Sequence, residues 1–260
     1  MNPAHLQRGW AVRFDWGLSG ASAIGRDAGI AVVVDVLSFT TTLSVAVDLG
    51  VEVLPYRWRD ASAAAYAAQH GAVLAVGRSE AATGAVTLSP GSIRRTVGLT
   101  RLVLPSPNGS SIAYSLAESS RVCVGASLRN ARAVAEWIAQ NHVEGSSVAV
   151  IAAGERWPDG ALRPAVEDVW GAGAVLSELA RLRPKSTMSP ESTMSPEAEM
   201  AVTAWHAVRE HVAASLEQCA SGQELIAAGY ASDVEVASEV GQSRSVPVLV
   251  GDMFVDRAAH

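Results

Sequence analysis

Short β-branched runs alternate along this chain with alanine-rich stretches in which apolar positions recur every three or four residues. Ile30 to Val36 reads as a buried strand, and Ser38 to Leu49 as a helix closed by Gly50. Val51 to Tyr56 is a second strand, and Ala61 to His70 a helix for which Asp60 is the expected N-cap. Ala72 to Val76 reads as a third strand, followed by a polar Gly, Ser and Pro loop to about Gly98. Arg101 to Leu104 and Arg121 to Gly125 are further strands, separated by the turn Pro105-Ser-Pro-Asn-Gly109 and a short helix. Leu128 to His142 is helical, with Ala131, Val134, Ala135 and Ile138 on one face. Ser147 to Ala152 is a strand, Glu167 to Leu182 a helix, and the pattern is helical again to about Val240 before a last strand, Val246 to Val250.

Continuous apolar strands alternating with helices predict an α/β domain with a mostly parallel sheet covered on both faces. The whole chain, 1–260, reads as a single domain interrupted at 183–197, where Ser186-Thr-Met-Ser-Pro-Glu191 repeats at once as Ser192-Thr-Met-Ser-Pro-Glu197. Two six-residue copies are too short for a solenoid. They read as a duplication tolerated in a surface loop, each Ser-Pro-Glu able to open a helix with Ser as cap and Pro in the first position.

Composition narrows the class. Hydrophobic residues are 49% and charged residues 18% of the 260, which excludes wholesale disorder. The longest apolar run, Gly29 to Val34, falls far short of the ~20 residues of a membrane helix. The amino terminus lacks a signal-peptide core, and the chain has two cysteines, Cys123 and Cys219, so a cytoplasmic location is expected. The net charge is −6, and all the basic residues except Lys185 are arginine. With no basic run and no interleaved aromatics, neither a nucleic-acid nor a membrane partner is expected. A few local arginines would still suffice for a small anionic substrate. Alanine- and valine-rich helices would permit a homodimer.

Polar residues gather where strands give way to helices, the usual ligand edge of such a sheet. Asp35 ends one strand and precedes Ser38-Phe-Thr-Thr-Thr42. A carboxylate there could hold a metal, and the helix start could hold an anion, although capping and dipole compensation explain the same pattern. Gly154-Glu-Arg156 follows another strand, and Glu167-Asp168 opens the next helix. Gly171 and Gly173 inside that helix point either to a ligand or to close packing. Ser106-Pro-Asn-Gly-Ser110 and Arg129-Asn130 occupy equivalent places. Together these strand ends favour one composite site for phosphate or another small anion, with a divalent metal.

Familiar alternatives are absent. There is no phosphate-loop lysine motif, no Gly-x-Gly-x-x-Gly turn and no Gly-x-Ser-x-Gly elbow. His206 and His211 read as surface residues. Cys123 and Arg129 match the spacing of cysteine phosphatases, but Cys123 lies between Val122 and Val124 and reads as a buried structural thiol.

In their order, several stretches resemble the 2-phosphosulfolactate phosphatase family. They are Val34-Asp-Val-Leu-Ser-Phe-Thr-Thr-Thr42, Val76-Gly-Arg78, Leu88-Ser-Pro90, Ser106-Pro-Asn-Gly-Ser110, Gly125-Ala-Ser-Leu-Arg-Asn-Ala131, Ala153-Gly-Glu155 and Glu167-Asp-Val-Trp-Gly-Ala-Gly173. The resemblance implies a three-layer α/β/α sandwich with a mixed sheet. It also implies a Mg²⁺-dependent acid phosphatase acting on (R)-2-phospho-3-sulfolactate. Asp35, the Asn108-Gly109 turn, and Glu167, Asp168, Gly171 and Gly173 match its motifs. Two places depart from the family pattern: Ser38-Phe39 stands where Arg-Ala is common, and Leu88 where Asn is usual. The first removes an arginine expected to meet phosphate or sulfonate.

On that resemblance Mg²⁺ would be held by Asp35 with Glu167 or Asp168. Arg156 and Arg129 would meet the phosphoryl oxygens. Ser38, Thr40, Thr41, Thr42, Ser89, Ser106, Asn108, Gly109, Ser110 and Asn130 would bind the substrate. Glu155 would position water or move a proton, and Asp35 could instead be the nucleophile. The competing reading is a non-catalytic anion-binding or regulatory protein on the same scaffold.

Overall fold

The structure is a computed structural model, which describes residues 2–57, 61–78, 84–182 and 194–258. In chain order, β1 (Val12–Trp16) and α1 (Gly17–Ile24) precede β2 (Ile30–Val34), α2 (Phe39–Asp48), β3 (Glu52–Tyr56), α3 (Ala61–Gln69) and β4 (Val73–Leu74). Next come α4 (Pro90–Arg95), β5 (Arg101–Pro105), α5 (Gly109–Ser119), β6 (Cys123–Ala126), α6 (Ala131–Asn141) and β7 (Val148–Ala152). A two-stranded hairpin, β8 (Glu155–Arg156) and β9 (Leu162–Arg163), leads into α7 (Val166–Leu182). The chain ends with α8 (Pro196–Val208), α9 (Val212–Gln218), α10 (Ala220–Ala227), α11 (Ala231–Ala237), β10 (Pro247–Val250) and β11 (Met253–Asp256).

Nine strands form one sheet in the order β1-β7-β2-β6-β10-β11-β3-β5-β4. The pairings within β1-β7-β2-β6 and within β3-β5-β4 are parallel. The antiparallel hairpin β10-β11 stitches the two blocks together, so the sheet is mostly parallel but mixed.

Alternation along β2 divides the core between the two faces, because successive side chains of a strand point to opposite sides. Val32 and Val34 pack with Ile138 of α6, Trp170 and Leu176 of α7 and Trp205 of α8. Ala31 and Val33 pack with Ile24 of α1, Leu43 of α2, Ile93 of α4 and Leu116 of α5. Helices thus cover both faces, giving the three-layer sandwich. Burying each such side chain contributes about 1.5–3 kcal/mol. Among the described residues no helix is long and apolar enough to cross a membrane.

Several elements differ from the sequence reading: α1 and the β8-β9 hairpin have no counterpart in it, and α4 lies inside the stretch read as a polar loop to about Gly98. The edge strand β1 is invisible to a search for apolar runs because Arg13 and Asp15 interrupt it. Its open side is covered locally: the Gln7 side chain donates to Phe14 O (2.9 Å) and accepts from Phe14 N (3.3 Å), mimicking a strand partner. The C-terminal strand β11 has no counterpart in the sequence reading, and β4 is only two residues long, with an isolated bridge from Val76 to Thr87. Asp60, and residues 183–193 of the duplicated segment, lie outside the described residues. In the second copy Ser195 caps α8, accepting from Ala198 N at 3.2 Å with Pro196 in the first position, and Met194 bridges to Val12.

The glycines of α7 are explained by packing. A Cβ on Gly173 would lie 2.1 Å from Ala201 O of α8, and one on Gly171 2.6 Å from Val36 Cγ2.

Candidate active site

The apolar run of β2 stops at Asp35, and the chain turns at once into α2. Thr40 stabilises this corner: its hydroxyl donates to Asp35 O (2.7 Å) and accepts from Asp35 N (2.9 Å). The Asp35 carboxylate then meets two helix starts. Oδ1 accepts from Phe39 N of α2 and Oδ2 from Gly109 N of α5, both at 3.1 Å. The anion expected at these helix starts is therefore, in part, the protein's own carboxylate. Gly109 is required for the approach, because a Cβ there would lie 2.3 Å from Phe39 Cδ1 and 2.7 Å from Asp35 Oδ2.

Asp168, in the first turn of α7, ties the neighbouring strand ends together. Its Oδ1 accepts from Val36 N (2.7 Å) and its Oδ2 from Gly154 N (2.8 Å). Glu167 beside it is buried. Glu155, on β8, accepts from Asn108 Nδ2 at 3.0 Å, and Arg156 Nε donates to Asn108 Oδ1 at 3.3 Å.

These four carboxylates act on one another. Burial, with the charge of Glu167 adding to it, pushes Asp35 up to about 6 against the Phe39 and Gly109 amides and the charge of Arg78. Burial and the charges of Asp35 and Glu167 push Glu155 up to about 7, opposed by Arg163 and the Asn108 hydrogen bond. Burial and the same two charges raise Asp168 well above the usual carboxylate range. Such mutual repulsion in a buried group is the environment a bound cation relieves.

A cavity of about 310 Å³ opens beside them, lined among others by Asp35, Ser38, Phe39, Arg78, Ser106, Asn108, Glu155, Glu224, Leu225 and Tyr230. Of the residues expected from the sequence, Asp35, Ser38, Ser106, Asn108 and Glu155 line it. Arg156 lies next to them, on an adjoining cavity that shares Asn108 and Glu155.

Other expected contacts serve the scaffold. The Thr41 hydroxyl donates to Val36 O and that of Thr42 to Leu88 O, both at 2.8 Å. Ser110, fully buried, donates to Leu104 O at 3.0 Å. Ser89 donates to Asp233 Oδ1. Asn130 ties Ser127 N to the carbonyls of Gly125 and Ser245. Arg129 does not line this cavity: it is buried and engaged by Ser44, Asp48 and Glu239. Cys123 is buried in β6, and desolvation pushes its thiol up to about 12, the opposite of an activated nucleophile.

Arg78 is the residue that sequence reasoning left without a role. Its Nε donates to Asp233 Oδ2 (2.7 Å) and its Nη2 to Ser38 Oγ (2.6 Å). A guanidinium from elsewhere in the chain therefore stands beside the position where an arginine was missed. The signal was the Val76-Gly-Arg78 stretch, but nothing local shows which way Arg78 points.

Among the described residues no three His, Cys, Asp or Glu side chains form a closed metal cluster. The candidate donors around Asp35 are nevertheless oxygens, of carboxylates, the Asn108 amide and the Ser106 and Ser38 hydroxyls, the hard kind that suits Mg²⁺ with part of its water shell retained. A family model described as 2-phosphosulpholactate phosphatase matches residues 21–252. No curated protein matches the chain.

Proposed function

The chain belongs to the 2-phosphosulpholactate phosphatase family, and from that premise we propose that it is a Mg²⁺-dependent phosphatase of a small acidic phosphomonoester, 2-phospho-3-sulfolactate by family. The observation that carries the reading is the charge of the cavity. Asp35, Glu155 and Glu224 line it against a single described basic residue, Arg78. An acidic ester would be repelled from such a wall unless a cation stood between them.

Mg²⁺, held by Asp35 with Glu167 or Asp168, would polarise a phosphoryl oxygen and offset developing charge. Asp35 is suited to that task because each of its oxygens is fixed by one amide and, among the described residues, keeps a lone pair free. Asp168 holds the ends of β2 and β7 in register around it through Val36 N and Gly154 N. Glu155 is the proton carrier. Water attacks phosphorus, the ester P–O bond breaks, and the departing alkoxide takes the proton of Glu155. With its pKa raised to about 7, Glu155 exchanges that proton readily near neutrality. Arg156 orients Asn108, and Asn108 orients Glu155.

The test is phosphate release from a panel of small phosphomonoesters, 2-phospho-3-sulfolactate included, with Mg²⁺, with a chelator, and with Asp35→Asn. Metal-dependent release that the variant loses supports the reading. No release from any ester by the folded, metal-supplied protein overturns it in favour of an anion-binding role.

A further inference from the structure

We propose that Arg78 is a specificity residue that receives a second anionic group, a carboxylate or sulfonate, carried by the phosphoester. The identity of the ester rests on the phosphatase reading; the place of Arg78 does not.

Two groups of polar residues stand in the lining of the cavity. One gathers Asp35 and Ser106, which share Gly109 N, with Asn108, the next residue back along the chain, bonded through Nδ2 to Glu155. The other is built around Arg78. Its Nη2 donates to Ser38 Oγ (2.6 Å) and Leu88 O (3.4 Å), and its Nε to Asp233 Oδ2 (2.7 Å). Among the described residues no side-chain hydrogen bond joins the two sets. The carboxylate set suits a metal-bound phosphoryl group. The guanidinium suits a planar or tetrahedral oxyanion that has no metal of its own.

Arg78 is also held as a binding residue needs to be. Asp233, on α11, is fully buried and accepts from both Arg78 and Ser89. Tyr230 places its ring 5.6 Å from the guanidinium carbon. Two edges of the fork are thereby fixed, while among the described residues Nη1 meets no acceptor. A fork fixed on two sides with a donor to spare loses little freedom when an oxyanion arrives. Because Ser38 and Asp233 approach it from α2's start and from α11, the same contacts join the cavity floor to the C-terminal helices.

The experiment compares the native chain with Arg78→Gln. Since that variant leaves Asp233 buried without its partner, Arg78→Gln/Asp233→Asn, which removes both charges, is measured beside it, with circular dichroism and Tm reporting the fold. The first readout is the ratio of kcat/KM for 2-phospho-3-sulfolactate over phenyl phosphate, which has no second anion. The second is the ratio of calorimetric affinities for 3-sulfolactate and inorganic phosphate. Both ratios are expected to fall by about 10- to 100-fold, the kinetic one mainly through KM. Unchanged ratios in a folded variant overturn the assignment. Should the native chain hydrolyse no ester, the phosphatase reading falls while the affinity ratio still decides Arg78.

Discussion

Two charged clusters stand at strand ends of this molecule, and they are built from the same residue types to opposite effect. Around Arg129 the charges cancel. Its guanidinium meets Ser44 (2.7 Å), Asp48 (3.1 Å) and Glu239 (3.1 Å), and Arg94 closes on Glu239 from the other side. Glu239 is held below the usual carboxylate range by its hydrogen bond to Arg94 first, then by Arg129. Around Asp35 the charges do not cancel. Asp35, Glu155, Glu167 and Asp168 crowd together, and three of them are pushed upward. The first arrangement locks the fold. The second is unfavourable for the protein by itself, and a bound cation would ease it, which is why we propose it as the functional site.

The largest effects are expected where the Asp35 cluster is displaced. Gly109→Ala would push a methyl into Phe39 and Asp35. It is expected to lower kcat/KM by about 100-fold or more, since small misplacements of a catalytic group cost about that much. Stopped assays of phosphate release check this, and a near-native rate would separate Asp35 from the chemistry.

Arg129→Ala attacks the other cluster. Removing one partner of a buried ion pair typically costs about 3–5 kcal/mol, and because Asp48 and Glu239 are partly exposed we expect about 2–3 kcal/mol. Urea unfolding should show the loss, while kcat/KM per folded molecule stays within about twofold. A collapse in kcat/KM at unchanged stability would return Arg129 to the active site.

The third prediction concerns pH. Asp35 and Glu155 bind protons more tightly folded than unfolded, so in chelator their contribution to stability is full at acid pH and is lost as pH rises through about 6 to 7. The Glu155 share of that fall is about 1–3 kcal/mol. Glu155→Gln should flatten the dependence of Tm on pH, and Mg²⁺ should recover stability on the alkaline side. A Tm that rises between pH 5 and 7.5 in chelator would contradict the uncompensated charge.

Cys123→Ser gives the smallest effect. The thiol is buried and held protonated, so turnover should change by less than about twofold, with a stability cost of about 1 kcal/mol. Loss of turnover would revive a thiol nucleophile.

Much of this was legible along the chain. Asp35 stood out because a carboxylate directly after a five-residue apolar strand is conspicuous, and Asn108 and Glu155 because each follows a strand in the same manner. Thr41, Thr42, Ser110, Arg129 and Asn130 looked equivalent on that criterion. They were not separable, because a hydroxyl that binds a ligand and one that bonds a neighbouring carbonyl have the same local sequence. Arg78 was overlooked for the converse reason. Its partners Ser38 and Asp233 are 40 and 155 residues away, and no local pattern encodes such a meeting.

What the sequence determined by itself was the class of fold, the strand ends where chemistry could sit, and the family, since periodicity and short motifs are local properties. What only the tertiary structure decided was which charges are compensated. Gly109 reaches Asp35 although β5 lies five strands beyond β2 in the sheet. Arg129 turns to Asp48 and Glu239, and Arg78 fills the place where an arginine was missing. Electrostatic balance depends on distances across the fold, and those are set by the packing of distant elements rather than by neighbours along the chain.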